Sequence, residues 1–119
     1  MSKTYDKAHE LKQALAEDAA FVQLQDLHKQ IAADDIARKM FDNFRKLQMS
    51  LQQKQMQGMD ISPEEAEQAQ KQFELVSQHT LISKLMETEQ QMSMIIADVN
   101  KIITEPLEEI YGHLAEEDE

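Results

Sequence analysis

The four histidines are the first candidates for chemistry in this sequence, because imidazole both transfers protons near neutral pH and binds metal ions. They are His9, His28, His79 and His113. A two-metal site in a helical bundle needs a Glu-x-x-His pair on each of two helices, together with two further glutamates. The nearest matches are Asp6-x-x-His9 and Gln25-x-x-His28, and glutamine supplies no carboxylate. The spacing therefore predicts neither a metal ligand nor a cofactor-binding residue.

Other residue types that carry catalysis are missing or lack suitable neighbours. The sequence has no cysteine, which excludes disulfides, zinc-thiolate sites, thiolate-held iron-sulfur clusters and cysteine nucleophiles within this chain. Its only glycines, Gly58 and Gly112, stand too far apart for a phosphate-binding loop. The carboxylate pairs Glu64-Glu65 and Glu108-Glu109 are typical of solvated helix faces. We therefore expect no catalytic residue and no enzyme.

A second interpretation is a ligand- or metal-binding helical bundle, in which polar side chains converge between the helices. Such a site would require His28 and Glu89 to meet in the folded chain, although they lie far apart in the sequence. The sequence leaves this alternative open. The first interpretation remains a non-catalytic interaction or regulatory protein that acts through its helix faces.

Composition and charge narrow the class of protein and of partner. The 119 residues suffice for one domain, and the scarcity of glycine and proline favours helices over hairpins. Acidic residues outnumber basic ones 23 to 12, which argues against direct nucleic-acid or membrane binding. The N-terminus has no apolar signal core, and no apolar run approaches about 18 residues. We therefore expect a cytoplasmic protein whose partners are proteins.

The apolar spacing predicts an all-α fold, an antiparallel bundle of about five helices that forms one domain over the whole chain. Short helices are expected at about 4–33, a long helical hairpin at about 35–104 and a frayed tail at about 113–119. Asp18 is a candidate N-cap between the first two helices, although a single kinked helix also fits. The fourth helix either continues into the fifth or breaks near His79-Thr80.

Local signals mark several helix ends. Asp34-Asp35 suits the start of a third helix, and Gly58 suits its end, because glycine adopts the left-handed conformation there. Ser62-Pro63-Glu64-Glu65 has the pattern of a capping box, in which Ser62 caps the helix and Glu65 reaches back to the Ser62 N–H. Pro106 predicts a kink or a stop near Glu105.

One wide apolar stripe runs through residues 79–103, HTLISKLMETEQQMSMIIADVNKII. It is longer than the short N-terminal helices can cover, and large exposed apolar patches usually mark interfaces. We therefore expect a homodimer. Met49 and Met56 are either scattered surface or gap-filling methionines or a second surface for another protein. The candidate interface residues are Met40, Phe44, Leu47, Met49, Leu51, Met56, Glu89, Met92, Ile95, Val99 and Ile102. Packing within the chain would also explain the apolar character of any of these positions.

One charged side chain lies beside this stripe. Glu89 falls one helical turn from Leu85 and from Met92. We predict that it pairs across the dimer interface with Arg38 or Arg45. The alternative is that its carboxylate simply reaches solvent.

Three blocks of the sequence carry a family resemblance. The block DDIARKMFDNFRKLQMSLQQKQMQG, the capped helix after it and the 79–103 segment resemble the YlbF/YmcA family of small helical bacterial proteins, and the start YDKAHELKQAL is most similar to its YheA-type branch. The resemblance covers about Tyr5 to Ile103. It implies an all-helical fold, dimers or hetero-oligomers, and a regulatory role linked to competence, sporulation, biofilm formation and mRNA processing. Some members carry cysteine-bound iron-sulfur clusters; this sequence has no cysteine, so neither a cluster nor a catalytic residue is transferred.

Overall fold

Five α-helices form the protein in the computed structural model, which describes residues 2–117 and the side chains of residues 2–112. In chain order they are α1 (Lys3–Glu17), α2 (Ala19–Ala33), α3 (Asp35–Met56), α4 (Pro63–Gln78) and α5 (Thr80–Glu117). No strand occurs among the residues that the structure describes, so the predicted all-α fold of about five helices is confirmed. The sequence predicted a frayed tail at 113–119. The side chains of these residues, and the backbone beyond residue 117, lie outside the described residues.

Two aspartates cap the starts of α2 and α3. The Asp18 side chain accepts a hydrogen bond from the Ala20 N–H at 2.9 Å. Asp34 Oδ1 accepts from the N–H groups of Ile36 and Ala37 at 3.0 and 3.1 Å. These short acceptors satisfy backbone N–H groups that have no partner within the helix. The chain therefore breaks at Asp18, and α1 and α2 are two helices, not one kinked helix.

The end of α3 is fixed by a glycine, as the sequence predicted. Gly58 has φ +72°, in the left-handed region that favours glycine. The Gly58 N–H donates to the Gln55 carbonyl at 3.1 Å, and the Met59 N–H donates to the Lys54 carbonyl at 2.9 Å. This pair of bonds satisfies carbonyl groups that the last turn of α3 would otherwise leave unpaired. It stops the helix and turns the chain toward α4.

A capping box opens α4 and also ties it to α3. Ser62 Oγ accepts from the Glu65 N–H at 3.1 Å, with Pro63 at the first helical position. The sequence predicted that Glu65 would reach back to the Ser62 N–H, and this contact does not form. Glu65 Oε1 instead accepts from the Ser62 hydroxyl at 3.1 Å, and Glu65 Oε2 accepts from Lys54 Nζ of α3. The Lys54 hydrogen bond is the largest cause of a lowered pKa at Glu65; desolvation opposes it, and Ser62 acts in the same direction as Lys54.

A short break separates α4 from α5. His79 lies between them in an extended conformation, with φ −82° and ψ 123°. Its N–H donates to the Val76 carbonyl at 3.2 Å, and its own carbonyl accepts from the Ser83 N–H at 2.8 Å. The break therefore falls at His79, and the alternative of one continuous helix is excluded.

The last helix does not stop at its proline. The sequence predicted a kink or a stop near Glu105, and the stop is wrong, because α5 continues through Pro106 to Glu117. Proline cannot donate to the carbonyl of the residue four positions earlier, here Ile102. Ile102 and Ile103 are 63% and 59% exposed, so this part of the helix faces solvent and water can replace the missing bond.

The core lies where α2, α3 and α4 pack against the first half of α5. Its buried apolar side chains are Leu27, Ile31, Ala37, Phe41, Phe44, Val76, Ile82 and Leu85. Thr88 is also buried, and its hydroxyl donates to the Lys84 carbonyl at 2.8 Å, so it needs no partner from another helix. α1 contributes no buried residue to this core.

The chain is elongated and leaves much of its surface uncovered. Its Cα radius of gyration is 19.6 Å. A compact chain of this length would have a radius of about 13–14 Å. Its accessible surface of 9574 Å² compares with about 6,600 Å² for a compact protein of this mass. Apolar side chains that a compact protein would bury therefore remain exposed.

Replacing Lys54 with methionine tests the contact between α3 and α4. The folded-state pKa of Glu65 lies below its ordinary value of 4.5, so the ionised carboxylate stabilises the fold above about pH 4.5, and this contribution is lost as pH falls through the lowered pKa. We expect Lys54→Met to reduce the free energy of unfolding at pH 7, measured in urea. The difference from the native chain should shrink below pH 4.5.

The matched control is Lys71→Met. It removes a lysine whose partner Glu67 lies 3.5 Å away within α4, with both side chains about 70% exposed. Exposed pairs of this kind contribute little. A Lys54→Met effect that stays constant from pH 7 to pH 3 would contradict the ionic contribution assigned to Glu65.

Candidate interaction surface

The apolar stripe of α5 changes from buried to exposed along the helix. Ile82 and Leu85 are fully buried at its start. Met92 and Val99 are half-buried further on, and Ile103 is 59% exposed. Leu85, Met92, Val99 and Ile103 share one helix face, because they follow one another at intervals of seven, seven and four residues, each close to a whole number of helical turns. A single stripe is therefore core at one end and open surface at the other.

The open part is formed by six large apolar side chains, here called the α5 end surface. They are Ile96, Ile102, Ile103, Leu107, Ile110 and Tyr111, each between 40% and 65% exposed. Soluble monomers rarely leave a large contiguous apolar patch uncovered unless it binds something. No helix in the described part of the chain is long and apolar enough to cross a membrane. This surface is the strongest candidate for protein binding.

The residues that the sequence predicted for an interface fall into three groups. Phe44 is buried in the core of its own chain, at 6% exposure. The half-buried residues are Met40, Leu47, Leu51, Met92, Ile95 and Val99. The exposed residues are Met49, Met56, Glu89 and Ile102. The structure therefore brings the α5 members together on one helix and leaves the two methionines elsewhere, and their contact with another chain stays a prediction.

Exposed methionines form a second surface at the end of α3. Met49 and Met56 are 64% and 82% exposed, and Met59, in the loop after the helix, is 55% exposed. The sequence pattern indicated the first two and missed Met59, because the loop has no helical spacing. Methionine is flexible and adapts to irregular partners. We call these three residues the methionine surface.

A cleft of about 760 Å³ lies between α5 and the helices α2, α3 and α4. His28, Phe41, Arg45 and Glu89 are among its lining residues. His28 Nε2 lies 3.9 Å from Glu89 Oε1, which is too long for a hydrogen bond. The Arg45 guanidinium lies 5.6 Å from the centroid of the Phe41 ring, an attractive cation–π distance. The structure thus brings together the two residues that the ligand-binding alternative requires.

Two of the residues predicted to form an intermolecular ion pair have neighbours within the chain. Glu89 lies beside His28, and Arg38 pairs with Asp35 of its own helix at 3.0 Å. Contact between Glu89 and an arginine of another chain stays a prediction. Within the described side chains, no group of three His, Cys, Asp or Glu residues could hold a metal ion.

Sequence reasoning missed one core residue on α3. The candidate residues on this helix included Met40 and Phe44 but not Phe41, whereas the buried residues are Ala37, Phe41 and Phe44, and Met40 only packs against them. Intervals of four and three residues fit this face as well as intervals of three and four. The larger aromatic side chain of Phe41 was the signal that could have decided between them.

Comparison with known proteins shows which family this chain resembles. Residues 4–108 match the family described as control of competence regulator ComK, YlbF/YmcA. The chain belongs to the YlbF/YmcA family. The resemblance read from the sequence is confirmed, and the family is one linked to control of a competence regulator.

Relatives within the YlbF/YmcA family match almost the whole chain. A UPF0342 protein of Shouchella clausii is 71% identical over 117 residues, which cover 98% of this chain and 99% of the relative. The UPF0342 protein YheA of Bacillus subtilis is 53% identical over 108 residues, covering 91% and 92%. A solved structure of a protein of unknown function (DUF964) from Bacillus stearothermophilus superposes with a TM-score of 0.86 at 40% identity, covering 92% and 96%. The YheA-type branch indicated by the sequence is therefore supported by sequence and fold.

Replacing Phe44 with alanine tests its place in the core. Phe44 is 6% exposed, so we expect Phe44→Ala to reduce the free energy of unfolding by about 3–5 kcal/mol. Phe73, whose ring centroid lies 6.3 Å away, is 46% exposed, and Phe73→Ala should cost clearly less. Urea unfolding at fixed protein concentration measures both.

If Phe44→Ala fails to fold, Phe44→Leu preserves most of the volume and should cost less than about 1.5 kcal/mol. Equal losses for Phe44→Ala and Phe73→Ala would contradict the assignment of Phe44 to the core.

Proposed function

We propose that this YlbF/YmcA-family chain is a non-catalytic cytoplasmic regulator that works by binding proteins. Its first partner is a second copy of itself, and a second, unlike protein receives the regulatory signal. The observation that carries the proposal is the α5 end surface, where a stripe that is core in the first half of the helix continues without cover.

A second copy suits this surface for energetic reasons. Each large apolar side chain contributes about 1.5–3 kcal/mol when fully buried. A symmetric dimer would bury the six side chains twice; because each is already about half covered, the gain is about 9–18 kcal/mol, comparable with an association cost of about 4–15 kcal/mol. An interface of standard size removes about 800 Å² from each partner. The uncovered surface of this chain exceeds that of a compact protein by more than this amount.

An unlike partner suits the methionine surface. Met49, Met56 and Met59 stand on α3 and its following loop, apart from the α5 end surface, so both surfaces can be occupied at once. The net charge of −11 disfavours nucleic-acid phosphates as the target. The family description links such chains to the competence regulator ComK, and we propose that this chain acts in the same control, through protein contacts.

Replacing Ile102 with glutamate tests the homodimer. Ile102 is 63% exposed, so the change leaves the core intact but places a charge in the proposed interface. We expect the native chain to have a dimer mass by light scattering coupled to size exclusion, and Ile102→Glu to raise the dimer dissociation constant at least tenfold. Met94→Glu is the matched control, because Met94 is 65% exposed and lies off the stripe. A native chain that stays monomeric at the highest concentration would overturn the homodimer.

A reporter gene driven by ComK tests the regulatory role. In a competent strain that lacks this chain, we expect reporter activity to change at least twofold and the native chain to restore it. Met56→Glu places a charge in the methionine surface at a residue that is 82% exposed, so it should fold, dimerise and fail to restore the activity. An unchanged reporter in the strain that lacks the chain would contradict the link to competence control.

A further inference from the structure

A groove lies open between α1 and the end of α5. It encloses about 520 Å³ and is lined by Lys3, Thr4, Lys7, Ala8 and Leu11 of α1 and by Ile103 of α5. Within the described residues, no Cα atom of α1 lies within 8 Å of a Cα atom of α5. Packed helices approach to about 8–10 Å between their axes, and a helix with side chains is about 10 Å wide. The backbones of the two helices are therefore not closely packed, and the groove between them can receive apolar side chains from another helix.

The groove continues directly from the α5 end surface. His28 of α2 lies beside Glu89, and Leu11 of α1 lines the groove with Ile103. Going from His28 back to Leu11 corresponds to going from Glu89 forward to Ile103, so α2 runs antiparallel to α5. The first three turns of α1 meet α5 at Ile103. Ile103 belongs both to the groove and to the α5 end surface.

Charges on the two sides are opposite. The groove lining contains Lys3 and Lys7 and no carboxylate. Beyond Lys101, α5 carries Glu105, Glu108 and Glu109, and no lysine or arginine follows in the sequence. The last turn of α5 has no basic residue, although the C-terminus of a helix is its negative end. The end of α5 therefore lacks cations, and the groove supplies them.

We propose that the groove between α1 and α5 holds the end of α5, residues 105–111, from a second copy of this chain. The two copies then pair antiparallel through their helix ends around a twofold axis near Pro106, so that residues 105–111 of each lie at Ile103 of the other, in its groove. Leu107 and Ile110 of the entering helix cover the apolar floor, and Glu108 and Glu109 meet the lysines of α1. This inference rests on the proposed homodimer and specifies its geometry.

The existing contacts of the groove permit this exchange. Lys7 pairs with Glu10 at 3.1 Å, but both side chains are about two-thirds exposed, so the pair is weak and can be replaced. Leu107 and Ile110 are 53% and 58% exposed. Because each copy has a net charge of −11, two copies repel each other except where lysines of one meet carboxylates of the other. These charges favour a second copy in this register over a random apolar contact.

Charge reversal on each side tests the proposal on the full-length chain. We expect Lys3→Glu/Lys7→Glu to raise the dimer dissociation constant at least tenfold at low salt, measured by sedimentation equilibrium. Glu108→Lys/Glu109→Lys should also weaken the dimer, although it reduces the net charge and a general charge effect would strengthen it. The variant with all four changes should return to within threefold of the native value. Lys39→Glu/Lys46→Glu, on exposed positions of α3, is the matched control and should have little effect.

Cysteine cross-linking tests the same contact independently, because the native chain has no cysteine. We expect Ala8→Cys mixed with Leu107→Cys to give a disulfide between chains on mild oxidation, with one chain tagged so that its mass identifies the pair. Ala8→Cys mixed with Met94→Cys should not, since Met94 lies off the stripe.

The outcomes separate this inference from the proposed homodimer. Weakening by both charge reversals, restoration by their combination and the 8–107 cross-link together support the exchange of helix ends. A native dimer whose dissociation constant neither reversal changes, without the cross-link, would overturn the exchange and leave the homodimer standing. A native chain that stays monomeric would overturn both.

Discussion

The structure depends on a mismatch of length between α5 and the helix that covers it. α5 has 38 residues, whereas α2 has 15, so α2 can bury only part of the apolar stripe. Leu27 and Ile31 of α2 belong to the core that also buries Ile82 and Leu85. Beyond that core the same stripe continues into solvent. Exposed apolar area is unfavourable wherever it lies. The second half of α5 therefore keeps apolar surface whose burial would lower the free energy.

The positions of the helix ends determine which part of the apolar stripe stays exposed. Asp18 and Asp34 cap α2 and α3, and Gly58 and Ser62 shape the connection to α4. Each device satisfies backbone groups that a helix end leaves unpaired, so each fixes a break at one residue. The break at Asp18 matters most for the surface. Because the chain breaks there, α1 leaves the direction of α2 and meets the stripe through side chains around Ile103, without close backbone packing on α5.

The features that the sequence predicted well are those that depend on neighbours within a few residues. The capping aspartates, the glycine at the end of α3 and the Ser62 cap of α4 are all local, and the structure confirms them, whereas Glu65 accepts from the Ser62 hydroxyl and Lys54 instead of the Ser62 N–H. The misses involve the environment. Pro106 disrupts a helix in isolation, but an exposed helix tolerates it because solvent satisfies the freed carbonyl. Phe41 and Met40 fit the same spacing, and only the packing of α3 against other helices shows which one is buried. The approach of His28 to Glu89 and the groove beside Ile103 depend on interhelical angles, which no local pattern contains.

Selectivity for a binding partner has to come from shape and charge in such a chain, because its side chains offer few other means of recognition. An apolar stripe supplies affinity but discriminates poorly, since many apolar helix faces would fit it. A net charge of −11 acts against this promiscuity by repelling other acidic proteins and further copies of the chain in most orientations. The proposed arrangement, which brings the lysines of α1 to the carboxylates of α5, would relieve part of the repulsion while the stripe is covered. Complementary charges at an interface chiefly select the partner and its register. In the proposed dimer the acidic surface would therefore disfavour most contacts, and the lysines of α1 would favour the one that meets the end of α5.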